Sequence, residues 1–143
     1  MPGPTGERNT LALVPRGPVV CAAGTQDGLL NQLAAVLATG NIALLAGDTA
    51  KLVPADLPAA VKDRIKPVAD LNGFEGDFQI ALVESMLAGS LYSQLAARSG
   101  ALVSLIDTTE DGAIPLWRLL AERALCVNTT AAGGNASLMT LEA

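Results

Sequence analysis

A doubly wound α/β domain is what this sequence predicts, and three observations carry the prediction. Short apolar runs alternate along the chain with stretches of helical periodicity. The runs lack the in-out alternation of a half-exposed sheet, so they suit a parallel sheet covered on both faces. The chain has 143 residues, half of them hydrophobic, which is enough for one domain with a substantial core.

The elements come in this order. "MPGPTGERN" is an extended lead-in with Pro and Gly at alternate positions. "TLALVP" and "PVVCAAG" are β-type runs flanking Arg16-Gly17, the pattern of a hairpin. "TQDGLLNQLAAVLATG" predicts a helix, with Leu29, Leu30, Leu33, Val36 and Leu37 on one face and Gly40 as its stop. "NIALLAG" reads as a strand. "PADLPAAVKDR" reads as a short helix with Asp56 as N-cap and Pro58 in the first turn. "IKPVAD" is a strand whose Pro67 places it at a sheet edge. "DFQIALVES" is a strand, "LAGSLYSQLAARSG" a helix closing at Gly100, and "ALVSLID" a further strand. "IPLWRLLAE" predicts a short helix, and "RALCVN" a last strand of the same sheet. Right-handed crossovers then give a Rossmann-like, doubly wound, mostly parallel sheet with helices on both faces. An N-terminal β-flap (residues 1–17) precedes this domain (residues 18–127), and an extended C-terminal tail (residues 128–143) comes after it.

Composition narrows the function. Fourteen acids against nine bases give a net charge of −5, which argues against nucleic acid and against anionic lipid. There is no histidine, so zinc sites of the Cys/His type and a Ser-His or Cys-His nucleophile pair cannot be built from this chain alone. Cys21 and Cys126 both lie in apolar runs and read as buried, reduced thiols of a cytosolic protein. Met86 and Trp117 read as core or edge-packing residues. Met1–Thr10 is polar and Gly/Pro-rich, unlike a signal peptide.

The first strand-to-helix turn, "AAGTQDGLLNQ", is where this architecture places a phosphate. It offers Gly24 and Gly28 for close backbone approach, without the full G-x-G-x-x-G spacing, and Asp27 would repel a phosphate. A plain turn with an Asp cap is the simpler reading. Glu84, Asp107, Glu110 and Asp111 come after the fourth and fifth strands, at the end of a parallel sheet where sites form. With no His or Lys beside them, solvated surface is again the simpler reading.

The tail differs from every other stretch. "ALCVNTTAAGGNASLMTL" carries no charge, and Thr129 to Ser137 is a run of nine small residues. Two glycines, two asparagines and three threonines make it a poor membrane span. Gly133-Gly134 permits close approach of another backbone, Asn128 and Asn135 can bond main-chain groups, and Leu138, Met139 and Leu141 would be unfavourably exposed at a free end. A docking segment fits these properties, lying over its own sheet or in a groove of a neighbouring domain.

Two resemblances add to this reading. "LLNQLAAVLATGNIALLAGD" resembles the helix-strand unit of the coenzyme domain of aldehyde dehydrogenases, which runs A-L-A-x-G-N-x-V-V-x-K-P-S-E. "DFQIALVESMLAGSLYSQLAARSGALVSLID" is similar in layout to the next strand, helix and strand of that domain. The departures concern cofactor contacts. The family's ribose-contacting Lys falls at Ala46 and its Pro at Gly47, its G-S turn is replaced near Glu84-Ser85, and its E-L-G-G-K stretch is replaced by Ile106-Asp107-Thr108. Nothing resembles its nucleophile region, so neither Cys qualifies. The second resemblance covers both ends. "PGPTGERNTLALVPRG" and "LLAERALCVNTTAAGGNASLM" look like the C-terminal part of bacterial proline utilization A, a multifunctional oxidoreductase family of proline catabolism.

That resemblance implies a parent enzyme that oxidises proline with FAD and then glutamate semialdehyde with NAD, with substrate channeling through an internal tunnel. This chain would be a fragment of it, Met1 an introduced start, with no catalytic residue, cofactor or metal of its own. Its final motif would help to cover the tunnel: Asn128, Thr129, Thr130, Ala131, Ala132, Gly133, Gly134, Asn135, Ala136, Ser137, Leu138 and Met139. The implied partners are the catalytic domains of the same polypeptide, especially the semialdehyde dehydrogenase domain. The implied setting is the bacterial cytoplasm, with the parent peripheral at the inner membrane. Two alternatives stay open: an NAD-binding domain using Gly24 and Gly28, and an oligomerisation module in which the N-terminal flap pairs subunits.

Overall fold

A computed structural model describes residues 6–108 and 113–128. In chain order the elements are β1 (Glu7–Pro15), β2 (Pro18–Ala22), α1 (Gln26–Ala38), β3 (Ile42–Ala46), a 3-10 turn (Gly47–Leu52), α2 (Ala59–Lys62), β4 (Ile65–Val68), β5 (Ile80–Val83), α3 (Ser85–Ala97), β6 (Ser104–Asp107), a second 3-10 turn (Leu116–Leu119) and β7 (Leu120–Asn128). They fall into two compact units.

The larger unit, Val14–Ala121, holds a five-stranded sheet in the order β4-β3-β2-β5-β6. Every pairing in it is parallel. The centre is β2, where Val20 lies beside Leu44 of β3 and Ala81 of β5. Successive side chains of a strand point to opposite faces, and both faces of β2 are buried. Val19 and Cys21 pack with Leu29, Leu33 and Val36 of α1. Val20 and Ala22 pack with Val83 and with Leu91 of α3. This double burial accounts for the continuous apolar runs, and a doubly wound α/β unit is what the chain forms. Pro67 sits on β4 at the sheet edge, the position where its missing N–H is tolerated.

Local chemistry sets the ends of α1. Thr25 is the N-cap, its hydroxyl accepting the Gly28 N–H at 3.0 Å. At the other end Gly40 takes φ +76°, a conformation that suits a residue without Cβ. The chain then enters β3 through Asn41, which is 1% exposed. Its side chain accepts from the Gly17 N–H at 2.9 Å and donates to the Leu119 carbonyl at 2.9 Å, so the buried amide is satisfied.

The smaller unit comprises residues 1–13 and 122–143, of which 6–13 and 122–128 are described. Its framework is a two-stranded sheet of β1 and β7. Leu11, Leu13, Leu125 and Val127 are exposed on these strands at 59%, 61%, 51% and 42%.

Several expectations are corrected. The runs flanking Arg16-Gly17 form no hairpin: β1 pairs with β7, and β2 pairs with β3 and β5. The last strand lies outside the parallel sheet, and the larger unit ends at Ala121 rather than continuing to Val127. α2 is capped by Pro58 instead of Asp56 and makes a single turn. The predicted helix "IPLWRLLAE" shortens to the 3-10 turn Leu116–Leu119, because β7 takes the residues from Leu120 onward. Cys126 is exposed on β7. Met86 and Trp117 are also exposed, at 73% and 74%. Leu119, beside Trp117, is the residue that this turn buries.

Candidate functional site

In a doubly wound sheet, ligands settle outside the carboxyl ends of the strands, where the order of connection reverses. Here β2, β3 and β4 proceed in one direction from the centre, while β5 and β6 proceed in the other. The reversal therefore lies between β2 and β5. Two segments leave the sheet at that crevice: Ala23-Gly24-Thr25, leading into α1, and Glu84, leading into α3.

The register brings them together. Ala22 pairs with Val83, so the next residue of each strand reaches the same level. The Glu84 N–H donates to the Ala22 carbonyl at 3.0 Å, which extends the ladder by one bond. The Glu84 side chain then turns into the crevice. Its Oε2 accepts the Gly24 N–H at 2.6 Å and the Thr25 N–H at 3.0 Å, and its Oε1 accepts the Thr25 hydroxyl at 2.8 Å. The same Thr25 hydroxyl accepts from Gly28, so the carboxylate, the cap and the first turn of α1 form one network. A Cβ at Gly28 would run into the Glu84 carboxyl, and one at Gly24 would lie 2.5 Å from Met86 Sδ. These two glycines serve an internal contact.

A cavity of about 470 Å³ borders this network on the α3 side, lined by Ala22, Gly24, Ala46, Gly47, Asp48, Leu71, Leu87, Ser90, Leu91 and Gln94 among others. It has an apolar floor from β2, β3 and α3, and a carboxylate, Asp48, on its lining. Asp48 pairs with Lys51 at 2.6 Å, both side chains being well exposed.

The residues fit a dinucleotide poorly. The N–H groups that would receive a phosphate at the head of α1 already bond a carboxylate, and a second anion there would meet Glu84 at close range with Asp27 in the same first turn. Ala46 and Gly47, on the lining of the cavity, offer no side-chain cation to a phosphate or a ribose.

The expected site residues have different fates. Gly24 and Gly28 do meet at the crevice. Asp107, at the end of β6, accepts the Ser85 hydroxyl at 2.6 Å at the first residue of α3. Glu110 and Asp111 lie outside the described residues. The α1 cap is Thr25, not Asp27. Asn128 ends β7 and is exposed, and the tail from Thr129 to Met139 lies outside the described residues. The sequence reading missed Thr25 and the Glu84 network. An acid immediately after an apolar strand, opposite a Gly-Thr turn, is the signal that could have revealed it.

Gln32 is fully buried on α1 and donates to the Ala22 carbonyl at 3.2 Å and to Thr108 Oγ1 at 3.1 Å. Thr108 donates in turn to the Val83 carbonyl at 3.2 Å, tying α1 to the ends of β2 and β5 from the opposite face. Among the described residues no group of three or more His, Cys, Asp or Glu is placed to hold a metal ion, and no helix is long and apolar enough to cross a membrane.

No protein-family model matches the chain. Bifunctional protein PutA of Escherichia coli is 44% identical over 146 residues, covering 99% of this chain and 11% of that protein. The Salmonella typhimurium and Rhizobium meliloti proteins of the same name are 44% and 37% identical, each over 99% of this chain and 11% and 12% of theirs. Among solved structures, a NAD-dependent benzaldehyde dehydrogenase from Corynebacterium glutamicum superposes with a TM-score of 0.45 at 18% identity, covering 76% of this chain and 27% of that one. The chain thus spans about a tenth of the length of the relatives it matches. Aligned from end to end with one segment of them, it belongs to the PutA family as the counterpart of that segment.

Proposed function

We propose that the chain is the non-catalytic C-terminal domain of a bacterial bifunctional enzyme that converts proline to glutamate. The parent uses FAD and NAD, and it works in the cytoplasm with at most peripheral contact with the inner membrane. The tail, from Asn128 to Met139, covers the tunnel between the two active sites and supports the semialdehyde dehydrogenase domain. An enclosed path keeps a reactive intermediate at high effective concentration near the next site and away from water. An uncharged seam of small residues suits a dry contact between two backbones.

The observation that carries this reading is the Glu84 network in a chain that aligns end to end with part of a bifunctional protein. The architecture belongs to nucleotide-binding domains, yet its phosphate donors bond an internal side chain. A role in packing against the rest of the polypeptide accounts for both facts.

Deleting residues 129–143 from the full-length enzyme tests the proposal and leaves β7 whole. Loss of coupled proline-to-glutamate flux, with proline oxidation retained, is the expected result. Unchanged flux and unchanged semialdehyde dehydrogenase activity would sink it. Calorimetric titration of this chain with NAD should show no saturable heat, and micromolar binding would restore the nucleotide reading.

A second reading, an oligomerisation module, is favoured by one feature: the exposed leucines and valine of the β1–β7 ribbon. Light scattering on the full-length enzyme with Leu11→Ser and Leu125→Ser separates the two readings. A drop in mass with channelling intact would favour assembly through the ribbon.

A further inference from the structure

We infer that Glu84 is a built-in anion that closes the nucleotide-phosphate position of this fold, so that the domain excludes phosphate-bearing ligands by occupancy. The inference rests on the same Glu84 network as the proposed non-catalytic role, and the two tests keep their failures distinguishable: the tail deletion reads coupled flux, whereas phosphate titration reads the occupancy of this turn.

Three observations converge on it. The first is the donor set. Glu84 takes two consecutive backbone N–H groups and a hydroxyl at the N-terminus of a thirteen-residue helix. A phosphate oxygen at such a turn receives donors of this kind, and the helix dipole favours whichever anion is there. The second is location. The carboxylate lies in the crevice between β2 and β5, where the strand order reverses and ligands of this architecture bind. The third is that space for a ligand persists beside it. The cavity of about 470 Å³ runs from Gly24 across Ala46 and Gly47 to α3, so the room has not collapsed. The phosphate position is the part that is filled.

The network also resists displacement. The Glu84 backbone is fixed at both ends: its N–H bonds the Ala22 carbonyl, and its carbonyl accepts the Leu87 N–H at 2.8 Å as α3 begins. The carboxyl is therefore tethered to its donors and acts at an effective concentration that a free anion must exceed. Gly28 leaves no side chain where the carboxyl packs.

Inorganic phosphate on the whole chain is the probe, read by the amide resonances of Gly24, Thr25 and Gly28 and by the thermal midpoint. Sodium chloride at matched ionic strength is the control. In the unsubstituted protein, phosphate should move none of the three amides saturably. Glu84→Ala should lower the midpoint by several degrees. Phosphate should then recover at least half of that loss, with one saturable isotherm in the millimolar range at the same amides and no such response to chloride. Glu84→Gln, which keeps the side chain in place, should lose stability without gaining a phosphate response.

Three results would overturn the inference: saturable movement of these amides in the unsubstituted protein, equal rescue of Glu84→Ala by chloride, or a folded Glu84→Ala with no phosphate response. The first requires no variant and stands even if Glu84→Ala does not fold.

Discussion

At the scale of single residues, the Glu84 carboxylate reverses an ordinary expectation about glycine. Replacing an exposed helical Gly with Ala normally stabilises by about 1 kcal/mol. At Gly28 the new methyl would displace a carboxyl that holds three hydrogen bonds. Gly28→Ala should therefore destabilise, by about 1–2 kcal/mol if one or two of those bonds are lost. In a Glu84→Ala background the same change should be neutral or stabilising. Urea unfolding of the four proteins in that cycle measures the coupling, and additive effects would show that the two residues do not communicate.

The two cysteines make an opposed pair. Burial pushes the Cys21 thiol from 9.0 up to about 12. The unfolded chain ionises this thiol from about pH 9, whereas the folded chain keeps it neutral. Its contribution to stability is complete below pH 9 and falls as pH rises from there toward 12. Cys21→Ala should flatten the decline of urea stability over that window by one proton. Alkylation should modify Cys126 alone in the native protein and both thiols after unfolding.

At the scale of elements, the β1–β7 pair is what local pattern could not reveal. Each strand was legible as β-type, but Thr10 meets Leu125 across 115 residues of chain. The nearer partner, β2, was the natural expectation for β1. It was unavailable because both of its edges are taken, by β3 and β5. The same pairing decided the fate of "IPLWRLLAE", whose helical periodicity was overridden where β7 begins. It also sets the chemistry of Cys126. This thiol is raised by desolvation, then by the charge of Glu7 and a hydrogen bond with it. Glu7→Gln should lower that pKa and speed alkylation of Cys126 at neutral pH, and an unchanged rate would show that Glu7 does not face the thiol in solution. By contrast, β2, β3, β5 and the body of α1 were readable directly, since burial on both faces leaves those strands as unbroken apolar runs and Gly40 stops the helix.

At the scale of the whole molecule, the two units differ in what holds them. The larger has a sheet with apolar layers on both faces. Among the described residues, the smaller has a two-stranded ribbon whose leucines face solvent. A two-stranded sheet alone is marginal in water. Amides of Val19–Cys21 and Ala81–Val83 should therefore exchange only on global unfolding, while those of Thr10–Leu13 and Arg123–Val127 should exchange through openings of much lower free energy. Equal protection in both sets would mean that the ribbon shares the stability of the core. This scale was also the one at which the site was least legible. The crevice could be located from the order of strands and helices. Its occupant could not, because Gly24 and Glu84 stand 60 positions apart and meet through strand register alone.

Trp117, the one tryptophan of the chain, has a practical bearing on experiment. Its indole faces water in the folded domain, so its emission should already be red-shifted and should change little when the domain unfolds. Fluorescence is therefore a poor thermometer for this fold. It is correspondingly a clean proximity signal: any surface of the parent polypeptide that covers Trp117 would announce itself as a blue shift, with no added dye.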